Sequence, residues 1–124
     1  MIPTINGVST STYGSVLTND ILGGWAIINT SDFASYVPGL GVGALGQQGF
    51  AQYSTKTLSA AATPTDNIRV NYTALSTISD DTTINSVKFD NVALGGVALA
   101  AGKTLTIASG GLLSFTNTSW SFGT

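Results

Sequence analysis

The clearest alternation of hydrophobic and polar positions lies at residues 83–115, TINSVKFDNVALGGVALAAGKTLTIASGGLLSF. Val87 and Phe89, Val92 and Leu94, Val97 and Leu99, and Leu105 and Ile107 each stand two apart. That spacing puts both members of a pair on one face of a β-strand. Between the pairs lie Asp90-Asn91, Gly95-Gly96, Ala101-Gly102 and Ser109-Gly110-Gly111, small and turn-forming residues suited to tight corners. The pattern predicts very short strands and very frequent corners. Two arrangements satisfy it. One is a parallel β-helix or β-solenoid, in which each short strand stacks on the strand one coil earlier. The other is an antiparallel β-sandwich with glycine-rich hairpins. The pair Val87 and Phe89 recurs eighteen positions later as Leu105 and Ile107, close to one coil of roughly 20 residues. This favours the solenoid.

The rest of the chain is less regular. Residues 2–22 alternate weakly, enough for one or two strands. Residues 25–29 (WAIIN) and 33–37 (FASYV) read as strands, with a turn at Thr30-Ser31-Asp32 and a stop at Pro38-Gly39. Residues 41–52 hold four glycines and are the loosest part, with a strand plausible at 50–53. Residues 58–64 (LSAAATP) alone have some helical character, which Pro64 ends, and an extended loop fits them equally. Residues 68–72 alternate cleanly, 75–78 suit a short strand, and Trp120 and Phe122 mark a final strand or cap. The expectation is one solenoid domain over 1–124, irregular over 1–81, with regular rungs and a C-terminal strand over 82–124.

Composition supports an all-β class and narrows the partners. Charged residues make up 8% of the 124 residues, against about 25% in an average soluble protein. Every acid is Asp, and there is no Glu, His or Cys. Thr, Ser, Asn and Gly supply the polar surface, so strands and turns are favoured over helices. A net charge of -2 with four scattered bases, Lys56, Arg69, Lys88 and Lys103, lacks the basic footprint that nucleic acid requires. No apolar run reaches the roughly 20 residues of a membrane helix. Residues 1–4 lack the basic and apolar regions of a secretory signal. This Cys-free, Thr/Ser/Asn-rich composition suits an extracellular or surface protein.

Four segments occur in a telling order: ILGGWAIINTSDFASY (21–36), TDNIRVN (65–71), TTINSVKFDN (82–91) and GKTLTIASGGLL (102–113). The series resembles the autotransporter-associated β-strand repeats of large surface proteins from planctomycete- and verrucomicrobia-like bacteria. The resemblance covers residues 21–113. It implies a right-handed parallel β-helix, export, and a structural or adhesive role without catalytic residues. Members of that family are usually far longer than this chain.

The chemistry is equally spare. Without His or Cys there is no imidazole base, no Ser-His-Asp triad and no common zinc site. Asp80-Asp81 is the one adjacent acidic pair, and neighbours on a strand point to opposite faces, so a solvated turn is expected. Asp66 before Asn67 suggests an Asx-type turn. Arg69 is expected to cover a strand face. Trp25, Tyr36 and Tyr53 are the candidate ligand-stacking aromatics, to be weighed against core packing. Asn29-Thr30-Ser31, Asn71-Tyr72-Thr73 and Asn117-Thr118-Ser119 match the N-glycosylation pattern, a match expected by chance in such a composition. No catalytic residue, metal or cofactor is assigned. The expected partners are copies of this chain or neighbouring repeats that stack end to end, and surface glycans are the alternative.

Overall fold

The computed structural model describes residues 4–5, 8–9, 16–59, 61–71, 76–90 and 97–114. Over these residues the chain is all-β, without a helix. Two compact units divide it, Met1–Tyr53 and Ser54–Thr124.

In the first unit every described strand pair is antiparallel. β1 (Thr4–Ile5) pairs with β2 (Val8–Ser9). β3 (Ile27–Ile28), β4 (Asp32–Val37) and β5 (Gly41–Ala44) form a three-stranded sheet in that order. The strand expected at 25–29 is thus confined to two residues, and the loose stretch after Gly41 contributes a strand of its own. No strand forms at 50–53.

The turns explain the reversals. Pro38 and Gly39 do more than end β4. Leu40 N donates to Val37 O at 3.1 Å, and Gly39 has φ 84°, as expected for glycine in the third position of a type II turn. Two further turns use residues with a Cβ in the left-handed region. Asn19 and Asp20 (φ 49° and 69°) join Thr18 to Ile21, and Asn29 and Thr30 (φ 54° and 59°) join Ile28 to Ser31. Consecutive positive φ values are the mark of a type I′ turn, which matches the twist of flanking strands. Asn and Asp tolerate this region, but a β-branched residue does not. Replacing Thr30 by glycine is therefore expected to stabilise the first unit by about 1 kcal/mol, the left-handed penalty less glycine's added chain entropy. Slower hydrogen exchange at the Ala34 and Leu45 amides, which donate to Ala26 O and Phe33 O, would register the gain. Unchanged or faster exchange would show that the turn carries no strain. Val16, Leu22, Ala26, Ala34 and Tyr36 form the core of this unit.

In the second unit every described strand pair is parallel. β6 (Asn67–Val70), β8 (Thr82–Phe89) and β10 (Leu105–Ser114) lie in one sheet with β8 in the middle. β7 (Ser76–Ile78) and β9 (Val97–Leu99) form a second, two-stranded sheet. Parallel neighbours cannot be joined by hairpins, so the connections between them cross over. The alternation of one strand for each sheet, β6-β7-β8-β9-β10, follows directly.

Register places like with like. Ile68, Val87 and Leu112 align across the three strands, as do Val70, Phe89 and Ser114. Ile84 aligns with Ile107. The eighteen-residue repeat read from the sequence is therefore not the structural one. Val87 meets Leu112, twenty-five positions on, because the connection from β8 to β10 is longer than the hydrophobic pairs suggest. Within β10 the register shifts between Ile107 and Gly111, where Gly110 has φ 71°. Parallel pairing also begins before Thr82, since Ser54 bridges Ile68.

The core of this unit is Leu58, Ile68, Val70, Ile78, Ile84, Val87, Phe89 and Val97, with Ala62, Leu99, Leu105 and Ile107 packed on it. The described residues of 58–64 form no helix, which leaves the extended loop, and Leu58 is driven into this core. Val92, Leu94, the Gly95-Gly96 corner, Tyr72, Trp120, Phe122 and Asn117 lie outside the described residues.

Candidate functional site

The three aromatic candidates fall into three different environments in the first unit. Trp25 is 68% exposed. Its indole lies over Gly23, where an added Cβ would sit 2.5 Å from Nε1. Tyr53 is half-buried, with its hydroxyl donating to Asp32 Oδ1 at 3.1 Å. Tyr36 is 2% exposed and packs with Val16, Leu22, Ala26 and Ala34. Tyr36 is therefore a core residue and offers no face to a ligand. It is the penultimate residue of β4, paired with Val42 of β5, which packs on the same core. A platform built from all three side chains does not form.

The acids do not converge either. Asp80 accepts from its neighbour Ser79, while Asp81 Oδ1 accepts the Thr104 amide at 2.8 Å. Asp81 thus ties the corner before β8 to the corner before β10. Among the described residues no cluster of three potential metal ligands occurs.

Asp66 closes the loop that precedes β6. Its Oδ2 accepts the Lys56 ammonium at 2.8 Å and the Thr63 amide and hydroxyl at 2.6 and 2.7 Å. Burial pushes its carboxyl up, but Lys56, Thr63 and Ser54 together outweigh this and hold it well below the usual carboxylate range. A lowered folded-state value gives stability that is complete above the unfolded carboxyl pKa of about 3.9 and is lost as pH falls through the lower folded value. Asp66→Asn is expected to be less stable than the natural chain at neutral pH. The difference should shrink steadily as pH drops below about 4. Parallel acid titrations of the two proteins, followed by circular dichroism, read this directly. A constant gap down to strong acid would rule out the carboxylate as its source.

On the neighbouring strands Arg69 and Lys88 are register partners, so two cations stand side by side. Asp90 resolves the repulsion. One oxygen accepts Arg69 Nε and the other lies 3.2 Å from Lys88 Nζ. Arg69 does cover a strand face, as its position in the alternation predicts.

The most ordered polar arrangement is one that the sequence does not announce. Asn67, Asn85 and Ser86 are all buried. Asn67 Oδ1 accepts Asn85 Nδ2 and Ser86 Oγ, both at 2.7 Å. Ser109 Oγ then donates to Asn85 O at 2.6 Å and accepts the Gly111 amide at 3.1 Å. The ladder crosses β6, β8 and β10 at the point where the register shifts. Asn67 follows a turn residue in sequence and reads as part of the turn. A pointer in the sequence is the later pair Asn85-Ser86, adjacent polar residues between the apolar Ile84 and Val87.

The edges of the three-stranded parallel sheet are unequal. Beside β6 lies the chain's own segment: Ser54 N donates to Asn67 O at 2.8 Å, Leu58 is fully buried, and Lys56 binds Asp66. Beside β10, among the described residues, no strand pairs with the outer edge. Leu112 is 50% exposed, although its register partners Ile68 and Val87 are fully buried. Apart from the buried Gly111, the residues along β10 alternate between half-covered and exposed. This edge, rather than an aromatic platform, is the candidate site. Comparison with family models, curated proteins and solved structures found no match for the chain.

Proposed function

We propose that the second unit is a short length of right-handed parallel β-solenoid and that the protein is a non-enzymatic structural segment of an extracellular bacterial surface protein or fibre. In this reading it associates end to end by strand stacking. The observation that carries the proposal is the open apolar column Ile68–Val87–Leu112. Two members are sealed inside the core and the third is left half uncovered at an edge without a described strand beside it. A strand edge presents unpaired amides and carbonyls that a further strand satisfies, and another rung would bury Leu112 as Val87 is buried. Parallel crossovers within one sheet are right-handed in about 98% of cases, which supports the hand. The polar ladder supports the stacking, since a buried Asn or Ser tolerates only a neighbour that completes its hydrogen bonds. The low charge and the absence of Cys support an extracellular setting.

Leu112→Lys is expected to abolish association while leaving the fold intact, because a half-exposed side chain can direct its ammonium to solvent. Size-exclusion chromatography over a hundredfold range of concentration, with negative-stain microscopy, makes the comparison. A natural chain that is monomeric at every concentration counts against stacking between subunits.

A second reading, a glycan- or surface-binding module, is favoured by Trp25. An indole 68% exposed beside Ile27, itself 43% exposed, suits stacking on a sugar face. Loss of binding to a glycan panel on Trp25→Ala, with association unaffected, would support this reading.

A further inference from the structure

We infer that copies of this chain join through β10 alone, edge to edge about a two-fold axis, and so form a closed dimer instead of a growing filament. The inference rests on the end-to-end reading above and specifies its geometry. Head-to-tail growth needs two different open edges. Here the chain's own Ser54, Lys56 and Leu58 lie against β6, through the Ser54–Ile68 bridge, the buried Leu58 side chain and the Lys56–Asp66 ion pair. Of the two edges of the β6-β8-β10 sheet, that of β10 is the one without a described neighbour. Copies that pair through this edge present the same surface to each other, and an isologous contact of that kind closes on itself.

The composition of β10 fits self-pairing. Across Leu105–Ser114 there is no charged residue and no proline, the devices that normally keep an edge strand from meeting its own copy. The nearest cation is Lys103, just before the strand. Parallel pairing of two β10 strands would set the two Lys103 side chains together. Antiparallel pairing, which a two-fold axis normal to the strands enforces, moves them to opposite ends, roughly 30–40 Å apart at the rise of an extended chain. The same operation brings the half-exposed Leu112 of each copy towards the first half of the other's β10, where Ile107 packs against the core. The partner is thus a second copy of this chain, and the contact extends the existing sheet β6-β8-β10 across the axis into its symmetry mate.

The absence of cysteine makes the test clean. Light scattering on the natural chain is expected to show mass rising with concentration and saturating at two copies. Thr106→Cys, Ala108→Cys and Leu112→Cys, placed singly at exposed positions of β10, scan the strand. The position nearest the axis is expected to link to its own copy as a disulfide dimer under mild oxidation. Thr57→Cys, on the segment that closes the other edge, should not link. Filaments, or disulfides between Thr57→Cys and Thr106→Cys chains in a mixture, would overturn the two-fold geometry and leave end-to-end stacking standing. A constant monomer mass with no cross-link at any β10 position would overturn both.

Discussion

Asn67→Ala will destabilise the second unit by about 3 kcal/mol, even though it removes few apolar atoms. The Asn67 carbonyl oxygen receives both Asn85 Nδ2 and Ser86 Oγ inside the protein. Alanine takes away that shared acceptor and leaves both buried donors short of it. Each buried polar group left unsatisfied costs about 1–3 kcal/mol, far more than the net worth of an ordinary hydrogen bond. The loss should be local to the three-stranded sheet. Hydrogen exchange at the Asn85 and Ser86 amides, which donate to Asp66 O, will accelerate together, and urea denaturation of the second unit will shift to lower concentration. The reverse experiment sharpens the argument. Removing all three polar groups at once, as Asn67→Ala with Asn85→Ala and Ser86→Ala, will cost less than the single changes summed, because no donor is then stranded. Additive losses would mean that the three groups are not one network.

Phe89→Ala will cost more, about 3–5 kcal/mol for a fully buried aromatic side chain. Phe89 is 1% exposed and sits between Val70 and Ser114 in register, at the end of the central strand. Removing the ring opens a cavity that neither flanking residue can fill, since parallel pairing holds the strands at fixed spacing. Leu112→Ala gives the internal standard. Leu112 belongs to the adjacent core column but is half exposed, and its loss in the monomer should be below about 1 kcal/mol. Equal effects of the two substitutions on the monomer, measured by urea denaturation at low concentration, would show that the β10 edge is already covered.

Much of the local structure was legible. The strand at residues 33–37, the clean alternation after Asp66, the short strand ending at Ile78 and the strand around Val87 and Phe89 all appear near their expected places, because period-two alternation between turn residues is a local signal. The turns beside them were read by type of residue: Pro38-Gly39 acts accordingly, whereas the turn expected at Thr30-Ser31-Asp32 lies earlier, with Asn29 and Thr30 at its centre. Other features were misread for identifiable reasons. The eighteen-residue spacing linked Val87 to Leu105, yet hydrophobic pairs alone do not measure the length of the crossover between parallel strands. Tyr36 stood between ligand stacking and core packing because its polar tip leaves its face ambiguous in a sequence, and the structure buries it. Asn67 looked like half of a turn, although its side chain points into the core.

The sequence by itself determined that this protein is built from short strands and tight corners, carries little charge, and has no imidazole or thiol chemistry. These follow from residue type and near-neighbour spacing. Only the tertiary structure decided that strands pair antiparallel in the first unit and parallel in the second. It alone placed Tyr36 in the core, joined Asn67, Asn85, Ser86 and Ser109 into one ladder, and left Leu112 uncovered while sealing Ile68 and Val87. The reason is physical. Alternation fixes which side chains share a face of one strand, but register between strands is set by crossover lengths and buried hydrogen bonds that join residues some twenty positions apart.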